Sequence, residues 1–347
     1  MEWLNEPCRV LDNAAAAEAR ERQAQLTKPA GALGDLEDIA IRLAGMQQRG
    51  HPAVDKVHIS VFAADHGVAE EGVSAFPQAV TTQMVHNFLN GGAAISVLAK
   101  ELGATLEVID VGLKNPVSHL GLISQRVADG ADNSTQQAAM TEWQLGLALQ
   151  AGFDAVERAH ANGAELFIGG EMGIGNTTAA TALYCALLDL PPLEVVGPGT
   201  GLDQAGMLHK VKVVQRILNL HRHYCHKPLE ALRRMGGFEI AALTGAYVRA
   251  AQWGIPVLVD GFISTAAALI ATALQPAVSD WLFLSHTSGE PGHVFAVAEL
   301  KQRPLLELGM RLGEGSGAAV AVPLLRMACA LHNRMATFAE ASVTGKL

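Results

Sequence analysis

The chain has 347 residues, half of them hydrophobic and only 17% charged. At a mean hydropathy of +0.22 such a chain can bury enough surface to offset its ordering entropy, so disorder is excluded, and the length fits two domains or one large one. A formal net charge of −9 leaves no basic stripe to displace counterions from phosphates, which argues against a nucleic-acid binder.

Residues 12–25 (DNAAAAEARERQAQ) read as a helix capped by Asp12 or Asn13. The loop LTKPAGALG (26–34) follows, then a second helix from Asp35 to Gln47 with Leu36, Ile39, Ala40 and Leu43 at helical spacing. After His51-Pro52 the pattern changes to short apolar runs separated by longer amphipathic segments. The runs are VHISVFAADHG (57–67), TLEVIDVG (105–112), ELFIGGEMG (165–173), LEVVGPGTG (193–201), IPVLVDGF (255–262) and WLFLSHTSG (281–289). Most are continuously apolar, as parallel strands covered on both faces should be. The segments 78–101, 141–162, 176–190, 203–223, 238–252 and 263–275 are long enough for crossover helices. Strand then helix, repeated, predicts a doubly wound α/β sheet of about six strands. A final helix covers 315–338, with a kink expected at Pro323.

The abundance of glycine (35 residues) and scarcity of aromatics (5%) suit tight strand-to-helix turns. The start, Met1-Glu2, lacks the charged-then-apolar pattern of a secretory signal. Asp260 interrupts the apolar stretch 255–278, and Pro323 and Arg326 interrupt 315–331, so no membrane span is expected. Cys8, Cys185, Cys225 and Cys329 are scattered without a CxxC pair, which points to a reduced cytosol and away from disulfides.

Every apolar run ends in glycine mixed with Asp, His, Glu, Ser or Thr, and ligands of open parallel sheets bind at the carboxyl ends of the strands. GGEMGIGNTTAA (169–180) is either an anion-binding turn at a helix start, with Thr177 and Thr178 as donors, or a turn with Asn176 as cap. GPGTGLD (197–203) repeats that logic before a helix capped by Asp203, and Lys210 in that helix is either an anion ligand or a solvated lysine. Asp260 ends an apolar strand as an acid or a helix cap. Glu314, between glycines in RLGEGSGAA (311–319), is either a desolvated general base or an acid at a helix terminus. The cluster HRHYCH (221–226) follows a helix and has no second ligand group, so no metal site is expected there. His286, Glu290 and His293 in SHTSGEPGH (285–293) fit a polar loop as well as a ligand group.

Nine blocks in order, LTKPAGALG (26–34), ADHGVAEEGVSAFPQAVT (64–81), NGGAAISVLA (90–99), GEMGIGNTT (170–178), GPGTGLD (197–203), GGFEIAALTGAY (236–247), PVLVDGF (256–262), SHTSGE (285–290) and MRLGEGSGAA (310–319), resemble the nicotinate-nucleotide–dimethylbenzimidazole phosphoribosyltransferase family. The resemblance implies a Rossmann-like sheet with helices on both faces and a catalytic domain over 51–324. It also implies a small helical subdomain from 1–50 and 325–347, and a homodimer. The implied substrates are nicotinate mononucleotide and 5,6-dimethylbenzimidazole, with neither a metal nor a redox cofactor called for. By motif, Glu314 corresponds to the general base, Glu171 to a second essential carboxylate and Asp260 to an acid near the ribose. Gly173, Gly199, Lys210 and Ser288 correspond to positions around phosphate and sugar, and Asn176 lies in the same loop. Phe76 and Met84 fall at the benzimidazole pocket, with Met172 and Leu312 as further apolar walls. Rival expectations are a nicotinate-nucleotide hydrolase or other pentosyltransferase, a non-catalytic nucleotide sensor, and a dinucleotide-dependent oxidoreductase, which lacks a clean fingerprint here.

Overall fold

The run Val57–Ala64 is buried along its whole length and forms strand β1 at the centre of the sheet. Around it lie β2 (Thr105–Gly112), β3 (Leu122–Ser124), β4 (Leu166–Met172), β5 (Val257–Val259) and β6 (Leu282–Leu284). The structure is a computed structural model that describes residues 1–344. The six strands are all parallel, in the order β3-β2-β1-β4-β5-β6. The chain moves outward from β1 to one edge, then returns to continue from β4 to the other, which opens a crevice between β1 and β4 at the carboxyl ends.

The helices are α1 (Asn13–Gln25), α2 (Asp35–Gln47), α3 (Ala79–Leu89), α4 (Ala94–Leu102), α5 (Glu142–Ala161), α6 (Asn176–Leu187), α7 (Pro192–Val195), α8 (Gln204–His221), α9 (Pro228–Met235), α10 (Phe238–Trp253), α11 (Phe262–Leu274), α12 (His293–Leu300) and α13 (Ser316–Arg334). Their starts follow local chemistry. Asp12 accepts from the amides of Ala14 and Ala15 to cap α1, Thr141 and Gln144 form a capping box on α5, and Asp203 caps α8. Residues Ile39, Leu43 and Met46 of α2 join the main core, while Ala19 of α1 packs with Ile41 and Ala44 in a small separate cluster.

Three expectations need correction. The run 193–201 is not a strand: Pro192 just before it opens the short helix α7, and Pro198 within it has no N–H to give a ladder. The sixth strand is β3, a three-residue edge strand that pairs with β2 alone. The helix expected over 78–101 is divided into α3 and α4 at Asn90-Gly91-Gly92, where Gly91 has φ +80°. The last helix ends at Arg334 rather than 338, and Pro323 lies inside it. Residues 345–347 of the expected helical subdomain lie outside the described residues. Among the described residues, no helix is long and apolar enough to cross a membrane, and all four cysteines are free.

Candidate active site

A cavity of about 390 Å³ opens at the carboxyl ends of the strands, beside the β1–β4 crevice. Three acids reach it from separate elements: Glu171 at the end of β4, Asp260 just after β5, and Glu314 just before α13. Gly173, Asn176, Gly199, Ser288, Phe76, Met84, Met172 and Leu312 also line it, and Lys210 does not.

Glu314 sits in a turn of three successive positive-φ residues, Gly313 (+92°), Glu314 (+66°) and Gly315 (+84°). A left-handed glutamate costs about 1 kcal/mol of backbone strain and needs a surround that holds it. That surround is visible. Asp260 accepts from the amides of Gly315 (3.0 Å) and Ala318 (2.9 Å), so it caps α13 and latches the turn. Gly170 of β4 makes room beneath, since a Cβ there would lie 2.2 Å from the Glu314 carbonyl. The Glu314 carboxyl is buried, its Oε2 has no partner, and burial, helped by nearby Asp260, pushes its pKa up to about 7.

Glu171 is buried beside it, with the Asn176 amide donating to Oε2. Burial raises its pKa well above the carboxylate range, and Glu239, Asp260 and Glu314 push the same way against the Asn176 bond. Asp260 is likewise raised by burial, opposed by His286 and by the amides it accepts from. Like charges this close cannot all ionise, so Glu171 holds its proton well beyond the pH at which a free carboxyl loses it, and Glu314 titrates near 7. Asn176 is therefore a partner of Glu171 rather than the cap of α6, a place that Gly175 takes.

The opposite wall is built on Gly199. Its amide donates to Glu290 Oε1 (2.9 Å), and its carbonyl accepts from Arg311 Nη1 (3.0 Å). Lys210 is fully buried one layer behind, donating to Thr177 Oγ1 (2.9 Å), so it is not a solvated lysine. A Cβ on Gly199 would lie 3.3 Å from the Lys210 Nζ. Burial lowers the Lys210 pKa to about 8, against the pull of Glu290.

Near the mouth, Thr200 Oγ1 meets Ser74 Oγ and the Ala75 amide at 3.0 Å, drawing Phe76 over the cavity. Val80 and Met84, one turn apart on α3, continue that apolar wall, and Leu312 contributes another part.

The polar loop 285–293 holds the wall together. The Ser288 amide donates to His293 Nδ1 (3.0 Å), and His293 Nε2 lies 3.0 Å from Thr265 Oγ1. The Thr265 hydroxyl donates to the Gly261 carbonyl, so His293 Nε2 carries the proton. Burial lowers the His293 pKa to about 4. In HRHYCH, His221 Nε2 donates to the carbonyls of Ser134 and Gln137, while His223 packs on Tyr224. Among the described residues, no three His, Cys, Asp or Glu side chains are arranged to hold a metal ion.

Sequence reasoning gave no role to Arg311 or to a buried pair beneath the cavity, His66 after β1 and Glu239 in α10, whose Nε2 and Oε1 are 2.5 Å apart. The Asp-His-Gly ending of the first run was the available signal for His66, but nothing in the sequence pairs it with a residue 173 positions away.

A family model described as a phosphoribosyltransferase matches residues 8–343. The nicotinate-nucleotide–dimethylbenzimidazole phosphoribosyltransferase of Ectopseudomonas mendocina (strain ymp) is 58% identical over 344 residues, covering 99% of this chain and 98% of that protein. The protein of that name from Pseudomonas fluorescens (strain SBW25) is 59% identical over 345 residues, with the same coverage. The crystal structure of the Thermus thermophilus protein of that name superposes with a TM-score of 0.92 at 46% identity, covering 97% of this chain and all of that one.

Proposed function

The chain belongs to the nicotinate-nucleotide–dimethylbenzimidazole phosphoribosyltransferase family, and from that premise we propose that it moves the phosphoribosyl group of nicotinate mononucleotide to 5,6-dimethylbenzimidazole with inversion at C1′. The products are α-ribazole 5′-phosphate and nicotinate. The observation that carries the reading is Glu314, a buried carboxyl with a free oxygen and a pKa near neutrality at the cavity wall.

The chemistry suits those residues. The pyridinium ring of the nucleotide leaves C1′ with the bonding pair as a neutral pyridine nitrogen, so no acid need protonate it. One benzimidazole nitrogen attacks C1′ from the opposite face, and the N–H proton of the other goes to Glu314. General-base catalysis of this kind is worth about 10²–10⁴-fold. The ribose becomes oxocarbenium-like in between. Asp260 supplies negative charge near it, and protonated Glu171 donates a hydrogen bond to the sugar. Gly173, Gly199 and Ser288, with Lys210 behind them, receive the phosphate and sugar. Phe76, Met84, Met172 and Leu312 enclose the benzimidazole. Holding both rings on opposite sides of one sugar contributes several kcal/mol through orientation, about 7–11 at most.

The same reading makes the helices of 1–50 and 325–347 a small subdomain beside a catalytic domain over 51–324, and the enzyme a cytoplasmic homodimer. The packing of α1 on α2 and of α2 on α13 supports the subdomain, and the four free cysteines fit a reduced compartment.

The test is chromatography of nicotinate mononucleotide incubated with the protein, with and without dimethylbenzimidazole. Nicotinate and α-ribazole phosphate should appear together and only with the acceptor; nicotinate at equal rate without it would favour hydrolysis. Glu314→Gln should keep nucleotide binding and lose about 10²-fold or more in kcat. A near-wild-type kcat would remove Glu314 from the base role.

A further inference from the structure

Directly beneath the cavity lies a charged pair that the mechanism above does not use. His66 and Glu239 are both buried, with Nε2 and Oε1 2.5 Å apart, and the other Glu239 oxygen, Oε2, is buried without a partner. Asp65 faces the same imidazole, its Oδ2 accepting from the Lys114 amide (2.8 Å). Burial works to lower the His66 pKa, but Glu239 and Asp65 outweigh it and raise it, so the ring holds its proton to higher pH than a free imidazole.

The backbone is moulded around that ring. A Cβ on Gly173 would lie 3.2 Å from His66 Cδ2, one on Gly175 3.3 Å from His66 Cβ, and one on Gly237 2.2 Å from Cε1. Gly173 is cavity wall, Gly175 starts α6, and Gly237 starts α10. The His66 carbonyl accepts from the Gln78 side chain (3.1 Å), which fixes the segment leading into α3. Among the charged groups acting on Glu171, Glu239 comes first, ahead of Asp260 and Glu314.

We propose that His66 and Glu239 are a positioning pair for the transfer reaction: the imidazole is the template for the Gly173–Gly175 turn, and Glu239 clasps that imidazole while facing the Glu171 carboxyl at the reacting sugar. The inference rests on the function proposed above. Glu171 is faced by Glu239 and Tyr247 of α10, by Asp260 after β5 and by Glu314 before α13. Asp65 and His66 face Glu239 from the end of β1, and His286 faces Asp260. Neither His66 nor Glu239 lines the cavity, so their substitution acts on the reaction only through the turn and the carboxyl they support.

The experiment compares wild type, Glu239→Gln and His66→Gln in kcat and KM for nicotinate mononucleotide from pH 5 to 10, with thermal melting to confirm folding. Removing the negative charge of Glu239 lets Glu171 release its proton at lower pH, so the alkaline limb of E239Q should move down. Removing the positive charge of His66 should move it up. Opposite displacements of about half a pH unit or more are expected, with kcat reduced about tenfold and KM changed less than about threefold. A wild-type profile without an alkaline limb overturns the proposal. So do folded variants with the wild-type profile, or a loss of melting temperature with the profile unmoved. Should H66Q not fold, the near-isosteric E239Q decides alone. Failure of the underlying function would look different: the wild type itself would release no nicotinate at any pH.

Discussion

At Glu314 the free oxygen and the raised pKa have one origin, a carboxyl taken out of water with the Ile95 amide as its backbone donor and none for Oε2. The same burial makes the residue costly to the fold. An ordinary glutamate releases its proton near 4.5, whereas Glu314 holds it to about 7. Between those values the folded chain binds a proton the unfolded chain has lost, so stability falls as pH rises, and the full loss is present above about 7. At ~1.4 kcal/mol per pH unit the loss is about 3 kcal/mol. Glu314→Gln cannot ionise, so the unfolding free energy of E314Q from denaturant melts should gain on wild type by up to that amount between pH 5 and pH 8, while activity is lost. A gap that stays constant between the two pH values would mean the folded carboxyl is not held protonated. The glycines around Glu314 made a desolvated acid legible in the sequence. Which acid takes the helix end was not, because that place goes to Asp260, 54 positions earlier. Lys210 was ambiguous for a related reason. In LHKVKVV either lysine could face inward, and only the packing of α8 on α6 turns Lys210 toward Thr177.

Asp260 joins two elements, and its substitution is read at that scale. Its two oxygens accept from Gly315 and Ala318, amides at the start of α13. Asparagine offers one acceptor and one donor in the same place, so one buried amide would face an N–H. Such a mismatch costs about 1–3 kcal/mol. Asp260→Asn should therefore lower the unfolding free energy from denaturant melts by that amount. Because the latch also holds the left-handed Glu314, kcat should fall more than KM rises; unchanged kcat in folded D260N would separate the latch from the chemistry. The long apolar runs were legible as strands because both faces are buried, as in β1 and β4. The errors have local causes. LEVVGPG has strand composition, yet Pro192 before it starts a helix and Pro198 inside it lacks a ladder donor. The short edge strand β3 is only half-buried and leaves no apolar run to read. The helix broken at Asn90-Gly91-Gly92 kept its apolar spacing on both sides, so periodicity alone joined them.

Across the molecule, the strand order puts the ends of β1, β4, β5 and β6 along one edge, and each contributes a residue at or beneath the cavity: His66, Glu171, Asp260 and His286. The doubly wound pattern, legible from alternating runs, thus also pointed to the end of the sheet where the cavity lies, while the pairing of residues across loops remained a matter of packing. Charge at this scale makes its own demand. The chain carries a net −9, and nicotinate mononucleotide is itself an anion at neutral pH. The long-range field therefore opposes its approach, while in the proposed reaction the groups that would receive it act at close range: the Gly199 wall and buried Lys210. Added salt screens the distant charges, with a Debye length of about 10 Å at 0.1 M, far more than it weakens a buried lysine. The value of kcat/KM for the nucleotide should accordingly hold or rise, by about twofold, as sodium chloride goes from about 20 to 200 mM. An enzyme that gathers an anion with a surface field shows the reverse slope. A tenfold fall over that range would mean that Arg311 and its surroundings, rather than the buried wall, draw the substrate in.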